Sequence, residues 1–258
     1  MAASDLALLT EAARTAGKIA SDHWRKDPEV WQKSDGAGPV TEADLAVDAH
    51  LHNFLVQARP DHGWLSEETP DNPDRLSKRR VFVVDPIDGT RAFAAGERTW
   101  AVSIAIVEDG QPVAGVVYLP IREKLYAATR GGAATLNGQE IRVSQGATAE
   151  GAKVLATRPS LDPAHWRDGK PPGIERHFRT SLAYRITLVA EGRFDAMMTL
   201  RDAWEWDIAA GALIAASASG TVTDRYGGDL RFNAPVPKTR GIIAANATLQ
   251  ASLRDLLA

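Results

Sequence analysis

The first sixty residues carry apolar positions with the spacing of amphipathic helices. Near the N-terminus, apolar side chains recur at steps of three and four: Leu6, Leu9, Ala13, Ala16 and Ala20. This period predicts a surface helix that is capped at Ser4 and runs to about Trp24. A second helix is predicted to begin at Thr41 and to end at Pro60, after a loop at 27–39 that separates the two.

Hydrophobic runs with strand character follow in the middle of the chain. β-branched and apolar residues dominate four short segments: 81–84, 101–107, 112–118 and 125–128. Two turn dipeptides, Asp109-Gly110 and Asn137-Gly138, are typical of connections between such strands. The region is therefore predicted to be an antiparallel meander that includes one buried strand at 81–84.

From about residue 153, predicted strands and helices alternate. Strands are expected at 154–157, 194–199, 221–223 and 241–245, helices at 182–191, 208–217 and 249–257, and a long loop at 158–179. Alternation of this kind is typical of an α/β half. We therefore expect two packed subdomains, 1–150 and 151–258, in a chain of the α+β or α/β class.

Composition and charge narrow the classes of function. The chain has 258 residues, of which 44% are apolar and 24% charged, as in ordinary globular proteins. Lys and Arg number 30 against 33 Asp and Glu, so the basic excess of a nucleic-acid-binding protein is lacking. The lack of cysteine excludes disulfides and thiolate metal sites. No apolar run reaches the roughly 18 residues of a membrane-spanning helix, and we expect a cytoplasmic protein without a membrane partner.

The most informative segment follows the predicted strand 81–84 and reads Asp85-Pro86-Ile87-Asp88-Gly89-Thr90. Asp-Pro and Asp-Gly are common turn dipeptides, so a plain turn is the competing interpretation. Two features favour a binding site. The acids stand at the C-terminal end of a strand, where ligands of α/β proteins usually bind. The Gly-Thr pair could also begin a short helix, whose first N–H groups suit a phosphate.

Three other acidic segments are ambiguous when each is taken alone. Glu67 and Glu68 follow an apolar Trp-Leu pair, but two adjacent acids are more often solvated loop charges. Asp207 precedes an Ala-rich helix and could simply cap it. Asp44 lies at the start of the second predicted helix, where a capping box with Thr41 explains it equally well.

Together, the four segments indicate a metal site. Convergence of Glu67, Asp85, Asp88 and Asp207 would place like charges side by side, and their repulsion would require cations. Ligand sets made of oxygen alone, without Cys or His, favour Mg²⁺ or Mn²⁺ over Zn²⁺. Such ions complete their coordination with substrate phosphate, and two or more of them can activate a water molecule.

The motifs, in this order and spacing, closely resemble those of the inositol monophosphatase superfamily. The resemblance covers nearly the whole chain, through Val40-Thr41-Glu42-Ala43-Asp44, Glu67-Glu68, the Asp85 to Thr90 motif, Trp206-Asp207-Ile208-Ala209-Ala210-Gly211 and Thr221-Val222-Thr223-Asp224. It implies Mg²⁺-dependent, lithium-sensitive phosphomonoesterase activity and a layered αβαβα sandwich, as in fructose-1,6-bisphosphatase. One departure is local: the family usually has Glu-Ala-Gly-Gly where residues 217–220 read Ser-Ala-Ser-Gly.

The resemblance also implies roles for individual residues. The metal ligands would be Glu67, Asp85 and the carbonyl of Ile87 for a first ion, and Asp85, Asp88 and Asp207 for a second. Glu67 would also contribute to a third, more loosely held ion. Thr90 would orient the attacking water, with Asp44 accepting from its hydroxyl group, and the N–H groups of Gly89 and Thr90 would receive the phosphate.

Within the superfamily, several segments look more like bacterial 3'(2'),5'-bisphosphate nucleotidases. These are 64–68, 116–120, Ser181-Leu182 and 188–192. Such enzymes remove the 3'-phosphate of adenosine 3',5'-bisphosphate, whose 5'-phosphate requires a second anion site. Arginines suited to bidentate phosphate contacts are the candidates: Arg158, Arg179, Arg185 and Arg201. The predicted substrate contacts are Ser181, Leu182 and Arg185.

Several alternatives stay open at this point. An inositol phosphate is the second candidate substrate, and a histidinol or sugar phosphate the third. A phosphoester-binding regulatory homologue without turnover is the non-enzyme alternative. The expected partner is a small phosphomonoester rather than a nucleic acid polymer. A homodimer is possible, since dimers are common in the family.

Overall fold

Helices form at both ends of the chain and in its second half. The protein is represented by a computed structural model that describes residues 4–26, 30–32, 39–146 and 148–258. Within these ranges the α-helices are α1 Asp5–His23, α2 Glu42–Ala58, α3 Thr90–Ala94, α4 Leu182–Ala190, α5 Glu205–Ser217 and α6 Ala247–Asp255. Short 3₁₀ helices occur at Pro73–Ser77, Pro120–Arg122, Arg158–Leu161, Pro163–His165 and Arg167–Gly169.

The two N-terminal helices begin where the sequence places their caps. Ser4 accepts the N–H of Ala7 at 3.2 Å, which caps α1. Thr41 and Asp44 form the predicted capping box at the start of α2. Both caps satisfy N–H groups that the first turn of a helix leaves without partners.

Most strands of the first half form one seven-stranded sheet. A separate antiparallel ribbon precedes it, made of β1 Val30–Gln32 and β2 Pro39–Thr41. The sheet follows chain order through β3 Gly63–Ser66, β4 Arg80–Asp88, β5 Ala101–Glu108, β6 Gln111–Leu119, β7 Lys124–Thr129, β8 Thr135–Leu136 and β9 Gln139–Glu140. From β4 to β9 all neighbours are antiparallel, which confirms the predicted meander, whereas β3 runs parallel to β4.

The second half of the chain builds a smaller mixed sheet. Its strands and one further pair are β10 Lys153–Ala156, β11 Glu175–His177, β12 Ala196–Thr199, β13 Ala203–Trp204, β14 Thr221–Thr223, β15 Lys238–Thr239 and β16 Ile242–Ala245. The sheet order is β11-β10-β12-β16-β14, while β13 pairs with β15. Parallel pairs join β10 to β11 and β12, and β16 is antiparallel to both of its neighbours.

The two sheets and the helices stack in five layers. α1 and α2 cover one face of the first sheet, where Leu9 and Leu51 pack with Val84. α4 and α5 lie between the sheets, in a buried cluster that contains both Val83 and Leu155. Successive strand residues point to opposite faces, so Val83 and Val84 serve different layers.

The fifth layer is α6, which covers the outer face of the second sheet. Leu249 and Leu253 pack there against Val154 and Ile243. The order helix, sheet, helix, sheet, helix confirms the predicted αβαβα sandwich. No helix in the described part of the chain is long and apolar enough to cross a membrane.

Several predicted boundaries are wrong, in each case where tertiary pairing decides. The predicted loop at 27–39 contains β1, and its residues 27–29 and 33–38 lie outside the described residues. The predicted loop at 158–179 contains β11 and three short 3₁₀ helices, and β3 was not predicted at all. Strands of three or four residues gain their order from a neighbouring strand and carry little periodic signal.

The division of the chain near residue 150 stays a prediction. The first large sheet uses residues 63–140 and the second uses residues 153–245. However, α4 and α5 come from the second half and pack against both sheets.

Candidate active site

The predicted acidic motif lies at the end of the central strand β4. This strand continues through Asp88, beyond the predicted end at Val84, with a register shift between Asp85 and Asp88 that is typical of a bulge. Bulges re-aim side chains, and the two acids of β4 are both buried. Ile87, between them, is fully buried in the core.

Gly89 turns the chain from β4 into α3. Its φ of +100° lies in the region that favours glycine, and a Cβ there would meet Thr99 O at 3.3 Å and Ser181 Cβ at 3.4 Å. The turn makes Thr90 the first residue of the predicted short helix α3.

We expect Gly89→Ala to lower both stability and activity, because it strains this turn. The positive φ costs about 1–2 kcal/mol for a residue with a Cβ. Gly138→Ala is the matched control, since Gly138 has a φ of +82° and no neighbour within 4 Å of a new Cβ. Thermal unfolding should show a loss in both variants, larger in Gly89→Ala because of its close contacts, whereas catalytic activity should fall only in Gly89→Ala. Equal activity of the two variants would contradict the role of this turn.

Three carboxylates from distant parts of the sequence come together beside this turn. Glu67, Asp85 and Asp207 each offer an oxygen atom, and these atoms lie within 4.8 Å of one another. Burial raises the pKa of Asp85 well above its ordinary value, and neighbouring carboxylates led by Glu67 raise it further. Burial likewise raises the pKa of Asp207, with Asp88 and Glu67 adding to the effect.

The cluster has the chemistry of a cation site. The Oδ1 atom of Asp85 is buried and has no hydrogen-bond partner among the described residues. A buried carboxylate oxygen without a donor, surrounded by further carboxylates, is destabilising unless a cation neutralises it. An all-oxygen set of this kind fits a hard divalent ion. Glu67, Asp85 and Asp207 could therefore hold a metal ion.

The N-terminus of α4 holds the carboxylate of Asp88 through hydrogen bonds. Its carboxylate accepts from Ser181 Oγ at 2.6 Å and from the backbone N–H groups of Leu182 at 3.2 Å and Ala183 at 2.6 Å. Burial raises the pKa of Asp88 to about 6, and these hydrogen bonds oppose the rise. Helix N-termini stabilise negative charge, so α4 fixes the position of this side chain.

This arrangement bears on two predicted substrate contacts. Ser181 and Leu182 are buried and do not line the cavity described below. Contact of these two residues with substrate stays a prediction. The geometry supports a different role, in which both hold Asp88.

Thr90 and Asp44 meet across the site, as the resemblance implies. Thr90 Oγ1 lies 3.1 Å from Asp44 Oδ1 and 3.2 Å from the carbonyl oxygen of Ile87, and its single proton can be donated to either. The other oxygen of Asp44 accepts from the N–H and the hydroxyl of Thr41. Burial raises the pKa of Asp44 to about 6, against the effect of the Thr41 hydrogen bonds. Asp44 is thus both a helix cap and a partner of Thr90.

Asp48, which the sequence did not single out, holds the segment around Glu67. Its two oxygens accept from Ser66 Oγ and Thr69 Oγ1, each at 2.5 Å, so both sides of Glu67 are tied to α2. In the sequence, the spacing of four residues between Asp44 and Asp48 could have indicated this role, because it puts both acids on one face of α2.

Asp207 lies inside α5 rather than at its cap. The helix begins at Glu205, three residues before the predicted start, with Trp204 as its N-cap. The capping interpretation of Asp207 is therefore wrong. Ser103 Oγ donates to the carbonyl oxygen of Trp206 at 3.2 Å, which ties the first turn of α5 to β5.

The acids open into a cavity of about 830 Å³. Its lining includes the acids and the threonine, Glu67, Asp85, Asp88, Thr90 and Asp207, together with six basic side chains: Arg91, His165, Arg185, Arg201, Arg225 and Lys238. Of the four arginines proposed from the sequence, Arg185 and Arg201 line this cavity, whereas Arg158 and Arg179 do not. Arg225, His165 and Lys238 had no signal in the sequence, because loops far apart in the chain bring them there.

Arg185 is the most buried of these cations. It donates from Nε to Arg179 O at 2.6 Å and from Nη2 to Thr180 O at 3.1 Å. Burial lowers its pKa to about 10, which Asp88 opposes, so it stays charged at neutral pH. Its guanidinium group lies 4.7 Å from the ring of Phe178.

Two aromatic rings also face the cavity, Phe178 and Trp204. Trp204 stacks on Trp206 with 4.6 Å between ring centroids, and the ammonium group of Lys238 lies 3.9 Å from the Trp204 ring. Trp204 therefore lines the cavity beside the start of α5.

Comparison with known proteins agrees with this architecture. Residues 2–258 match the Inositol monophosphatase family. Inositol monophosphatase 2 of Solanum lycopersicum is 34% identical over 93% of this chain and 92% of its own. Histidinol-phosphatase of Chlorobaculum parvum is 31% identical over 96% and 95%. The crystal structure of extragenic suppressor protein suhB from Bartonella henselae superposes with a TM-score of 0.81, at 30% identity and 96% coverage of both chains. This chain belongs to the inositol monophosphatase family, a group of metal-dependent phosphatases.

Proposed function

We propose that this protein hydrolyses a small phosphomonoester with the help of bound divalent cations. One observation carries the proposal. Four acidic residues, Glu67, Asp85, Asp88 and Asp207, line the same cavity as Gly89 and Thr90, the N-cap and first residue of α3. Metal-assisted attack of water on a phosphate requires this combination of hard ligands and oriented polar groups.

The metal would be Mg²⁺, in two or three ions, with Mn²⁺ as a substitute. We assign the ligands as the sequence implied them: Glu67, Asp85 and the carbonyl of Ile87 for one ion, and Asp85, Asp88 and Asp207 for another. When bound, such ions neutralise phosphate charge and lower the pKa of a coordinated water. Glu67, at the edge of the cluster, would also serve a third ion.

The remaining groups would orient the reactants. The Thr90 hydroxyl would hold the attacking water in line with the phosphorus atom, accept one proton from that water and pass its own proton to Asp44, so that Thr90 stays neutral. A buried carboxylate with a raised pKa is a better proton acceptor than an ordinary one near neutral pH. The backbone N–H groups of Gly89 and Thr90 would donate to phosphate oxygens.

The substrate we favour is adenosine 3',5'-bisphosphate, hydrolysed at its 3'-phosphate. Support comes from the basic side chains that line the cavity, of which Arg185, Arg201 and Lys238 would bind a second anionic group. The rings of Phe178 and Trp204 offer apolar faces on which a planar base could stack.

An inositol phosphate is the second candidate. The relative from Solanum lycopersicum carries that activity in its name and is 34% identical to this chain. The name of the Chlorobaculum parvum relative likewise keeps histidinol phosphate as a third candidate substrate. A regulatory homologue that binds a phosphoester without turnover is the non-enzyme alternative, and a homodimer remains an expectation for any of these.

The test is phosphate release by the purified protein with Mg²⁺, across adenosine 3',5'-bisphosphate, inositol 1-phosphate, histidinol phosphate and fructose 1,6-bisphosphate. EDTA should abolish the release, and so should Asp88→Asn. A higher kcat/KM for the adenosine bisphosphate supports the nucleotidase, and a higher value for inositol phosphate overturns that choice alone. Absence of turnover with both Mg²⁺ and Mn²⁺ would favour the binding homologue.

Arg201→Ala should discriminate between substrates with one and two anionic groups. We expect about a tenfold rise in KM for adenosine 3',5'-bisphosphate, from the loss of one charged hydrogen bond. The KM for glycerol 2-phosphate should not change, because that substrate has no second anion. Arg158→Ala is the matched control, since Arg158 does not line the cavity. Equal effects of Arg201→Ala on both substrates would contradict a second anion site.

A further inference from the structure

We infer that Arg75, Asn233, Ala234 and Glu205 form a brace that positions Glu67 and Asp207 for metal binding. The inference rests on the proposed metal site and adds residues that do not touch metal or substrate. The brace connects the segment after Glu67 to the first turn of α5, two parts of the chain more than a hundred residues apart.

The two acids need such a connection because their charges oppose one another's approach. Glu67 follows β3 in the first sheet, and Asp207 lies in α5 between the sheets. A carboxylate oxygen of Glu67 and one of Asp207 lie within 4.8 Å of each other, so two like charges face each other at short distance. Contacts elsewhere in the fold therefore have to oppose this repulsion until a cation binds.

On the α5 side of the brace, the loop that contains Asn233 and Ala234 closes around Glu205. The carboxylate of Glu205 is fully buried and accepts the N–H groups of Asn233 at 2.5 Å and Ala234 at 3.0 Å. The backbone N–H of Glu205 donates to Pro237 O at 2.9 Å. Three hydrogen bonds therefore fix the first residue of α5, two positions before Asp207.

On the β3 side, Arg75 reaches the same loop. Its guanidinium group donates to Asn233 Oδ1 at 2.6 Å, to Ala234 O at 3.0 Å and to both oxygens of Asp71. Asn233 returns a hydrogen bond from Nδ2 to Arg75 O at 3.3 Å. The loop thus uses its N–H groups for Glu205 and its acceptors for Arg75.

Arg75 is also packed against the strand that leads to Glu67. Its side chain is 1% exposed, and a Cβ on Gly63, the first residue of β3, would lie 3.0 Å from Arg75 Cβ. A shift of the Arg75 side chain would therefore change its packing against the backbone of β3 at Gly63. The Ser103 bond ties the same turn of α5 to β5, and the brace extends this attachment to the segment around Glu67.

Removal of one member should weaken metal binding without removing a ligand. Partners behind the ligands of a metal site typically contribute about 10–100-fold to metal affinity. Glu205→Gln keeps the size of the side chain but replaces one acceptor with a donor that faces an N–H group. We expect about a tenfold weaker Kd for Mn²⁺ alone in calorimetric titrations. At saturating Mn²⁺, kcat should recover to near the wild-type value, which a lost catalytic group would not allow.

Glu191→Gln is the matched control. Glu191 is a largely buried glutamate, with 9% side-chain exposure, and Lys124 and Tyr126 contact its carboxylate. The Glu191→Gln variant should lose stability and keep the wild-type affinity for Mn²⁺. An unchanged Mn²⁺ Kd in Glu205→Gln, or an equal loss in both variants, would overturn the brace.

A double-variant comparison keeps the inference testable if the metal site itself fails. Arg75→Met and Glu205→Gln should each lower Tm. The double variant should lower Tm by less than the sum of the two single effects, because both residues hold one loop. Additive losses would overturn the brace. A wild-type protein that binds no Mn²⁺, with coupled Tm effects, would refute the proposed metal site while leaving the brace as a structural link. Arg75→Lys replaces Arg75→Met if the latter does not fold.

Discussion

Asp85→Asn is expected to reduce phosphomonoester hydrolysis by about 10²–10³-fold, the loss that follows removal of one preorganised electrostatic group. Asp85 is the residue assigned to both metal ions, and its buried Oδ1 has no other partner among the described residues. An amide keeps the shape of the side chain but cannot supply the negative charge that a divalent cation requires. The loss should appear in kcat/KM at any Mg²⁺ concentration below saturation.

The same substitution should stabilise the metal-free protein. Burial and the neighbouring carboxylates raise the pKa of Asp85 well above its ordinary 3.8, so the folded chain binds a proton that the unfolded chain releases. The stability of metal-free wild type therefore falls as pH rises above 3.8 toward that raised pKa. A neutral amide avoids this loss, so Asp85→Asn should be the more stable protein at neutral pH in the absence of metal.

Two measurements on wild type and Asp85→Asn test whether the substitution stabilises the metal-free protein and whether it removes the stabilisation by Mg²⁺. In EDTA at pH 7, Asp85→Asn should unfold at a higher temperature than wild type, and the difference should shrink at pH 4. With Mg²⁺ added, wild type should gain stability by mass action and the variant should not. Asp195→Asn is the control, because Asp195 accepts from Ser144 and the Lys153 N–H away from the site. A variant less stable than wild type in EDTA would contradict the account of this cluster.

Thr90→Val should lower kcat by about 10²-fold or more, within the range that general acid–base groups contribute. Valine matches threonine in shape but removes the hydroxyl that lies 3.1 Å from Asp44. The metal ligands are untouched, so the effect should fall on kcat and not on the Kd for Mn²⁺. This separates Thr90 from Asp85, whose substitution should weaken metal binding.

Thr90→Ser is the matched variant for this experiment. It restores the hydroxyl and should recover most of the activity, although serine loses the methyl group that fixes the rotamer. Steady-state kinetics at saturating metal would measure both variants. The proposed orientation of water would be wrong if Thr90→Val retained more than half of the wild-type kcat.

Residues close together in the sequence could be placed from local patterns alone. The segment from Asp85 to Thr90 carries two acids, a turn and a helix start within six positions, and the fold keeps these roles local. The capping pair Thr41 and Asp44 is local for the same reason. The layered fold was predicted through the resemblance of several such segments in their order.

Contacts between distant segments needed the tertiary structure. Glu67 and Asp207 were expected to converge from the family resemblance, but their approach depends on the relative position of β3 and α5, which no local pattern encodes. The role of Ser181 is similar, because the start of α4 meets Asp88 across more than ninety residues. Arg201 and Arg158 look alike in the sequence, and only the fold puts one in the cavity and leaves the other outside.

The sequence by itself determined the helices with a clear period and the long strands of the first sheet, because these follow from local spacing. The acids that would bind metal were predicted from the preference of carboxylates for hard cations and from the resemblance of the motifs to a known family. The tertiary structure alone decided the short strands β1, β3 and β11, the presence of His165, Arg225 and Lys238 in the cavity, and the hydrogen bonds that link Arg75 to Glu205 through one loop. The physical reason is that pairing, burial and charge compensation depend on neighbours in space, which the chain supplies from positions far apart.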